Sequence, residues 1–185
     1  LVFSYMVDAG DSSSDLDYLS STALSLNNGA IADNAGNAAT LTLATPGTAG
    51  SLAANEGLVV DGIAPLVTTV QTTTADGSYT VDDVIDIKVS FNDIVNVTGT
   101  PQLTLETGDT DRVVNYAGGS GSSDLVFSYT VQAGDSSADL DYLSTSALSL
   151  NNGAIVDGSG NAAILTLPSA GNSLADNAAL VVDTT

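Results

Sequence analysis

Residues 1–43 and residues 125–167 carry nearly the same sequence, and this duplication limits the fold more than any composition does. LVFSYMVDAGDSSSDLDYLSSTALSLNNGAIADNAGNAATLTL lies on LVFSYTVQAGDSSADLDYLSTSALSLNNGAIVDGSGNAAILTL with an offset of 124, differing at nine of 43 positions. After a two-residue change in length the match resumes, SLAANEGLVVD at 51–61 on SLADNAALVVD at 173–183. A period of about 120 residues is one whole domain, whereas solenoid repeats recur every roughly 20–50 residues. The expected organisation is a slice of a tandem array. Residues 1–62 are read as the C-terminal half of one repeat and residues 63–185 as a complete repeat, joined at DGIAP (61–65). A half repeat would expose a broad apolar face, which soluble proteins rarely do. It is expected to be ordered only beside its missing strands, supplied by the parent chain or a neighbouring molecule.

Within the repeat the apolar residues recur at every second position. VIDIKVSF (84–91) sets Ile85, Ile87, Val89 and Phe91 on one face and Asp86, Lys88 and Ser90 on the other, the period of a half-buried strand. LVTTV (66–70), QLTLET (102–107), RVVNY (112–116), LVFSYTV (125–131), ALSL (147–150), AIVD (154–157), AILTL (163–167, the copy of ATLTL at 39–43) and LVVD (180–183) read as further short strands. Turn residues separate them at ADGSYTVDD, NDIVNVTGTP, GGSGSS, AGDSSAD, NNG and DGSGN. No stretch reads as an amphipathic helix. Short strands with turn signals every roughly 8–12 residues predict an all-β, immunoglobulin-like antiparallel sandwich.

Cysteine and histidine are both absent, which removes disulfides, thiol chemistry, and the commonest general base and transition-metal ligand. Lys88 and Arg112 are the only basic side chains against 22 acids, for a net charge of −20. That balance argues against nucleic acid and anionic membranes as partners. It favours a secreted protein in salty or calcium-containing water, where cations screen or bind the acids. A glycosidase needs paired carboxyls and usually aromatics to hold the sugar, but aromatics are 5% and tryptophan is absent. We therefore expect no enzyme. No apolar run reaches the roughly 18–20 residues of a membrane span, and no signal peptide is visible, as expected of a slice from within a longer chain.

The acids gather in repeated loops. GDSSADLDY (134–142) spaces Asp135, Asp139 and Asp141 at i, i+4, i+6, and GDSSSDLDY (10–18) does the same with Asp11, Asp15 and Asp17. Calcium takes six to eight hard oxygens from flexible loops, so such a loop can wrap one. The same carboxylates also suit turn hydrogen bonds to the backbone. DGSGN supplies Asp157 and Asn161, matched by Asp33 and Asn37, with the same two readings. Asp61 in the linker recurs as Asp183 at the exit. Strict strand alternation puts Asp135, Asp139, Asp141, Asp157 and Asp183 at the exit pole and Asp93 and Asp124 at the entry pole. A cation at the junction of successive repeats would neutralise both ends.

ADGSYTVDDVIDIKVSF, GTPQLTLETG, LVFSYTVQAGDSSADLDY, ALSLNNGAI and LVVDTT together resemble the immunoglobulin-like, cadherin-like tandem repeats of giant bacterial secreted and surface adhesins. The resemblance covers the whole chain. It implies an extracellular, non-enzymatic module of a stalk, fibre or adhesive surface layer, often with calcium at domain junctions. It also implies an acidic residue after the strand ending at Phe91, where Asn92 and Asp93 stand. Implied partners are neighbouring repeats, other cells or surface glycans. A glycan-binding sandwich is the alternative reading.

Overall fold

The computed structural model describes residues 1–184, and the chain divides into two compact units, Leu1–Ile63 and Ala64–Thr185. The first unit has little regular structure. Strand β1 (Ser12–Ser13) pairs antiparallel with β2 (Val60–Asp61), and between them lies a single helical turn, α1 (Leu52–Asn55). Ser51 caps that turn by accepting from the Ala54 amide. Val60 is the one buried apolar residue of this unit among those described, whereas Leu1, Phe3, Tyr5 and Val7 are all exposed.

The second unit is all-β and sandwich-like. Its strands are β3 (Val67–Thr72), β4 (Gly77–Tyr79), β5 (Val84–Thr98), β6 (Gln102–Glu106), β7 (Arg112–Gly118), β8 (Ser122–Thr130), β9 (Ser136–Ser137), β10 (Asp141–Tyr142), β11 (Leu148–Ser149), β12 (Ala154–Val156) and β13 (Leu180–Asp183). The larger sheet runs β10-β6-β7-β8-β5-β12, with β11 also on β6 and β3 also on β5. A smaller sheet runs β4-β13-β9, in which β4 and β13 are parallel. Strand β7 turns the larger sheet's corner: residues 112–115 pair with β6, then Tyr116 and Gly118 pair with β8 across a register shift. The two faces so formed enclose one core.

That core follows the alternation of the sequence. Ile85, Ile87, Val89, Phe91, Leu103, Leu105, Leu125, Phe127 and Tyr129 all point into it. Each fully buried side chain of this size contributes about 1.5–3 kcal/mol relative to exposure.

The structure departs from the sequence reading in several places. Residues 92–98 form no loop; β5 runs on to Thr98. Its register shifts between Ser90 and Val95, so Asn92 and Asp93 are passed over as an irregularity while Val95 and Val97 stay in ladders. Ser122–Asp124, read as part of a turn, open β8, and Gly77–Tyr79 form β4. A second helical turn, α2 (Leu174–Asn177), has a reciprocal capping box between Ser173 and Asp176 and buries Leu174. Periodicity cannot find a one-turn helix, because four residues complete no second turn of pattern. Among the described residues, no helix is long and apolar enough to cross a membrane.

Candidate metal centre

The loop singled out by its three aspartates does not gather them. Among the described residues, Asp135, Asp139 and Asp141 form no cluster that could hold an ion. Asp135 is fully buried, and its carboxylate has protein partners. It accepts from Arg112 Nε (2.7 Å), the Tyr129 hydroxyl (2.6 Å) and the Gln132 amide (2.9 Å). Burial pushes its pKa up, but the Tyr129 hydroxyl, the Gln132 amide and Arg112 outweigh burial and hold it below the ordinary carboxylate value. In return Tyr129, desolvated and beside that charge, is pushed well up. Asp139 is exposed, and Asp141 turns back to its neighbour, accepting from the Tyr142 amide at 2.9 Å. The turn reading of this loop fits the geometry.

The counterpart in the first unit keeps the local part of this arrangement. Asp11 accepts from the Tyr5 hydroxyl (2.5 Å) and the Asp8 amide (2.9 Å). Asp17 accepts from the Tyr18 and Gly47 amides, and Asp15 is exposed.

DGSGN folds as an aspartate-centred turn. Asp157 Oδ1 accepts from the Ser159 and Asn161 amides, and its Oδ2 from Asn161 Nδ2, all at 2.8 Å. Asp33 and Asn37 repeat the pattern in the first unit, at 2.8–2.9 Å. Burial raises the pKa of Asp157, but the Asn161 side chain and the backbone amides override it, so the carboxylate is charged and held in one orientation.

What the turn leaves unexplained is Asp93. Its carboxylate and that of Asp157 approach within 4.8 Å of one another, inside the second unit. Strict alternation had set these two at opposite poles, so the pole assignment of Asp157 is corrected. The physical reason is the overhang of β5. Ala154, Ile155 and Val156 pair with Thr98, Val97 and Asn96, so β12 descends along the extension past Phe91 and delivers Asp157 to the level of Asp93. The NNG turn makes this possible: Asn151 and Asn152 both adopt positive φ (46° and 62°), which asparagine tolerates. The chain there leaves β11, which lies on β6, and enters β12, which lies on β5.

Asp93 is exposed and Asp157 buried, so one side of the pair is open to solvent. Two oxygens bound across one calcium ion at about 2.4 Å each lie up to about 4.8 Å apart. Oxygen-only donors, with no histidine or cysteine in the chain, suit a hard cation such as calcium better than zinc.

Of the linker acids, Asp61 faces Ser12 in the β1–β2 ladder and accepts from the Ile63 amide at 3.1 Å. Asp183 faces Ser136 in the β13–β9 ladder. Asp124 is held by Lys88 Nζ at 3.0 Å and the Ser90 hydroxyl at 2.6 Å.

Sequence reasoning missed Arg112 as the partner of Asp135. The scarcity of cations, two among 22 acids, marks Arg112 for an ion pair, but which acid it reaches is set by packing. Comparison with family models, with curated proteins and with solved structures found no match.

Proposed function

We propose that this chain is a non-enzymatic structural module from a tandem array, building a stalk, fibre or adhesive layer outside the cell. The observation that carries this reading is the domain-length duplication of sequence, in which the alternating apolar stretches, the turn residues and the linker aspartate all recur. Chemistry-bearing groups other than carboxylates are scarce, with no histidine or cysteine and two cations that are each paired to an aspartate. A net charge of −20 suits surroundings rich in cations.

In the same reading the module binds calcium through Asp93 and Asp157. Two carboxylates this close repel unless a cation lies between them. Asp157 is already oriented by its own turn, so little ordering is needed on binding. The remaining ligands would be water. Calcium there would offset the self-repulsion of so acidic a module.

Calorimetric titration of the whole chain with calcium chloride, beside thermal unfolding with and without chelator, tests the ion. Binding should stabilise the fold by about 2.7 kcal/mol when free calcium is 100 times its dissociation constant. Sodium chloride at matched ionic strength should not reproduce the effect. Asp93→Asn should abolish the calcium response, and Asp139→Asn should leave it intact. A chain with no heat of binding and no chelator effect would be an acidic spacer without an ion.

A further inference from the structure

The two units contain nearly the same residues in opposite circumstances. Phe3, Tyr18, Ala23, Leu24, Leu43 and Leu52 line an open cleft of about 350 Å³ in the first unit. Their counterparts by the repeat are Phe127, Tyr142, Ala147, Leu148, Leu167 and Leu174, all of them core residues of the second unit. Phe3 is 76% exposed and Phe127 is 0% exposed. The difference is not in the side chains but in what covers them.

In the second unit the cover is residues 64–124. Leu105 and Leu103 of β6 face Tyr142 and Leu148, and Ile87 of β5 and Tyr116 of β7 face Phe127. The equivalent segments of the first unit, residues 1–6, 17–18 and 24–25, form no strand.

Charge tells the same story. Asp11 has the tyrosine hydroxyl and backbone amide that Asp135 has, but the Arg112 guanidinium completes only Asp135. Both basic residues of the chain lie within 64–124. That segment therefore supplies strands that pair with the counterparts of the apolar cleft and a cation that pairs with the counterpart of Asp11.

We propose that the apolar face of the first unit is a docking site for a second copy of the segment 64–124, whose strands would cover Phe3, Tyr18 and Leu24 and whose arginine would reach Asp11. The inference does not depend on calcium.

The test fuses a second copy of residues 64–124 to the intact chain, so that its Asp124 precedes Leu1 as Asp124 precedes Leu125. Hydrogen exchange is then followed at residues 2–7, with residues 126–131 as the internal standard. In the chain as it stands, amides 2–7 should exchange fast and amides 126–131 slowly. In the fusion, amides 2–7 should slow at least about a hundredfold, toward the standard. Arg112→Ala in the added copy alone should return part of that protection while residues 126–131 stay slow. The proposal is overturned if residues 126–131 stay protected while 2–7 remain open in the fusion. It is also overturned if the unmodified chain protects 2–7 as its concentration rises and Arg112→Ala leaves that protection unchanged, which would assign the face to a different self-contact.

Discussion

Asp135 shows how one carboxylate can be read two ways from sequence and one way from structure. It sits fully buried on three donors, of which Arg112 carries the compensating charge. Truncating one partner of a buried ion pair leaves the other charge unpaired, at a cost of about 3–5 kcal/mol. Arg112 is partly exposed, so Arg112→Ala should fall at the low end, about 3 kcal/mol, measured by denaturant unfolding. The pH dependence follows from the depressed pKa of Asp135. The unfolded chain binds this proton more tightly than the native one, so the contribution is complete above the ordinary value of 3.8 and lost as pH falls below it. Asp157 and Asp124 are depressed as well and act in the same direction. Unfolding in acid should begin below about pH 4, and Arg112→Ala should weaken the dependence on pH. An acid limb unchanged by the substitution would remove Arg112 from this role.

At the scale of elements, a strand exists only with a partner. LVFSY is strand at 125–129 and not at 1–5, although the five residues are identical. Period-2 alternation describes which face would be buried, while the ladder requires another backbone to accept its hydrogen bonds. The turns behave differently, because their bonds are local. The Asp33–Asn37 turn and the Ser51 cap form in the first unit much as Asp157–Asn161 and Ser173 do in the second. The β7–β8 hairpin depends on Gly119 in the same local sense. Its φ is +107°, and a Cβ there would lie 2.1 Å from the Asp124 carbonyl oxygen. Gly119→Ala should destabilise the second unit by more than about 1 kcal/mol. An unchanged unfolding midpoint would show that the hairpin shifts without cost.

For the whole molecule the unequal burial predicts an unequal melting transition. Unfolding enthalpy scales with the ordered residues, about 0.7 kcal/mol per residue near 60 °C. If only Ala64–Thr185 melts cooperatively, calorimetry should give about 85 kcal/mol, against about 130 kcal/mol for the full length of 185 residues. A single transition at the larger value would mean that the first unit has a core of its own. In the chain fused to a second copy of 64–124, a second increment of similar size should appear.

The sequence by itself determined the β class, the inward faces of 84–91, 102–106 and 125–131, the NNG and DGSGN turns, and the duplication. All of these rest on short-range pattern or on the duplication, and both are written in consecutive residues. Tertiary structure decided where β5 ends. Asn92 and Asp93 interrupt the alternation, and pattern alone reads the interruption as a loop, whereas β12 pairs with the strand beyond it. That one extension moved Asp157 beside Asp93 and changed which acids share an end. Tertiary structure likewise gave Asp135 to Arg112, 23 residues away, and so withdrew it from the candidate ligands. Carboxylates look alike in sequence. What distinguishes a ligand from a buried ion-pair partner is which distant donor reaches it first, and only the packed sheets fix that.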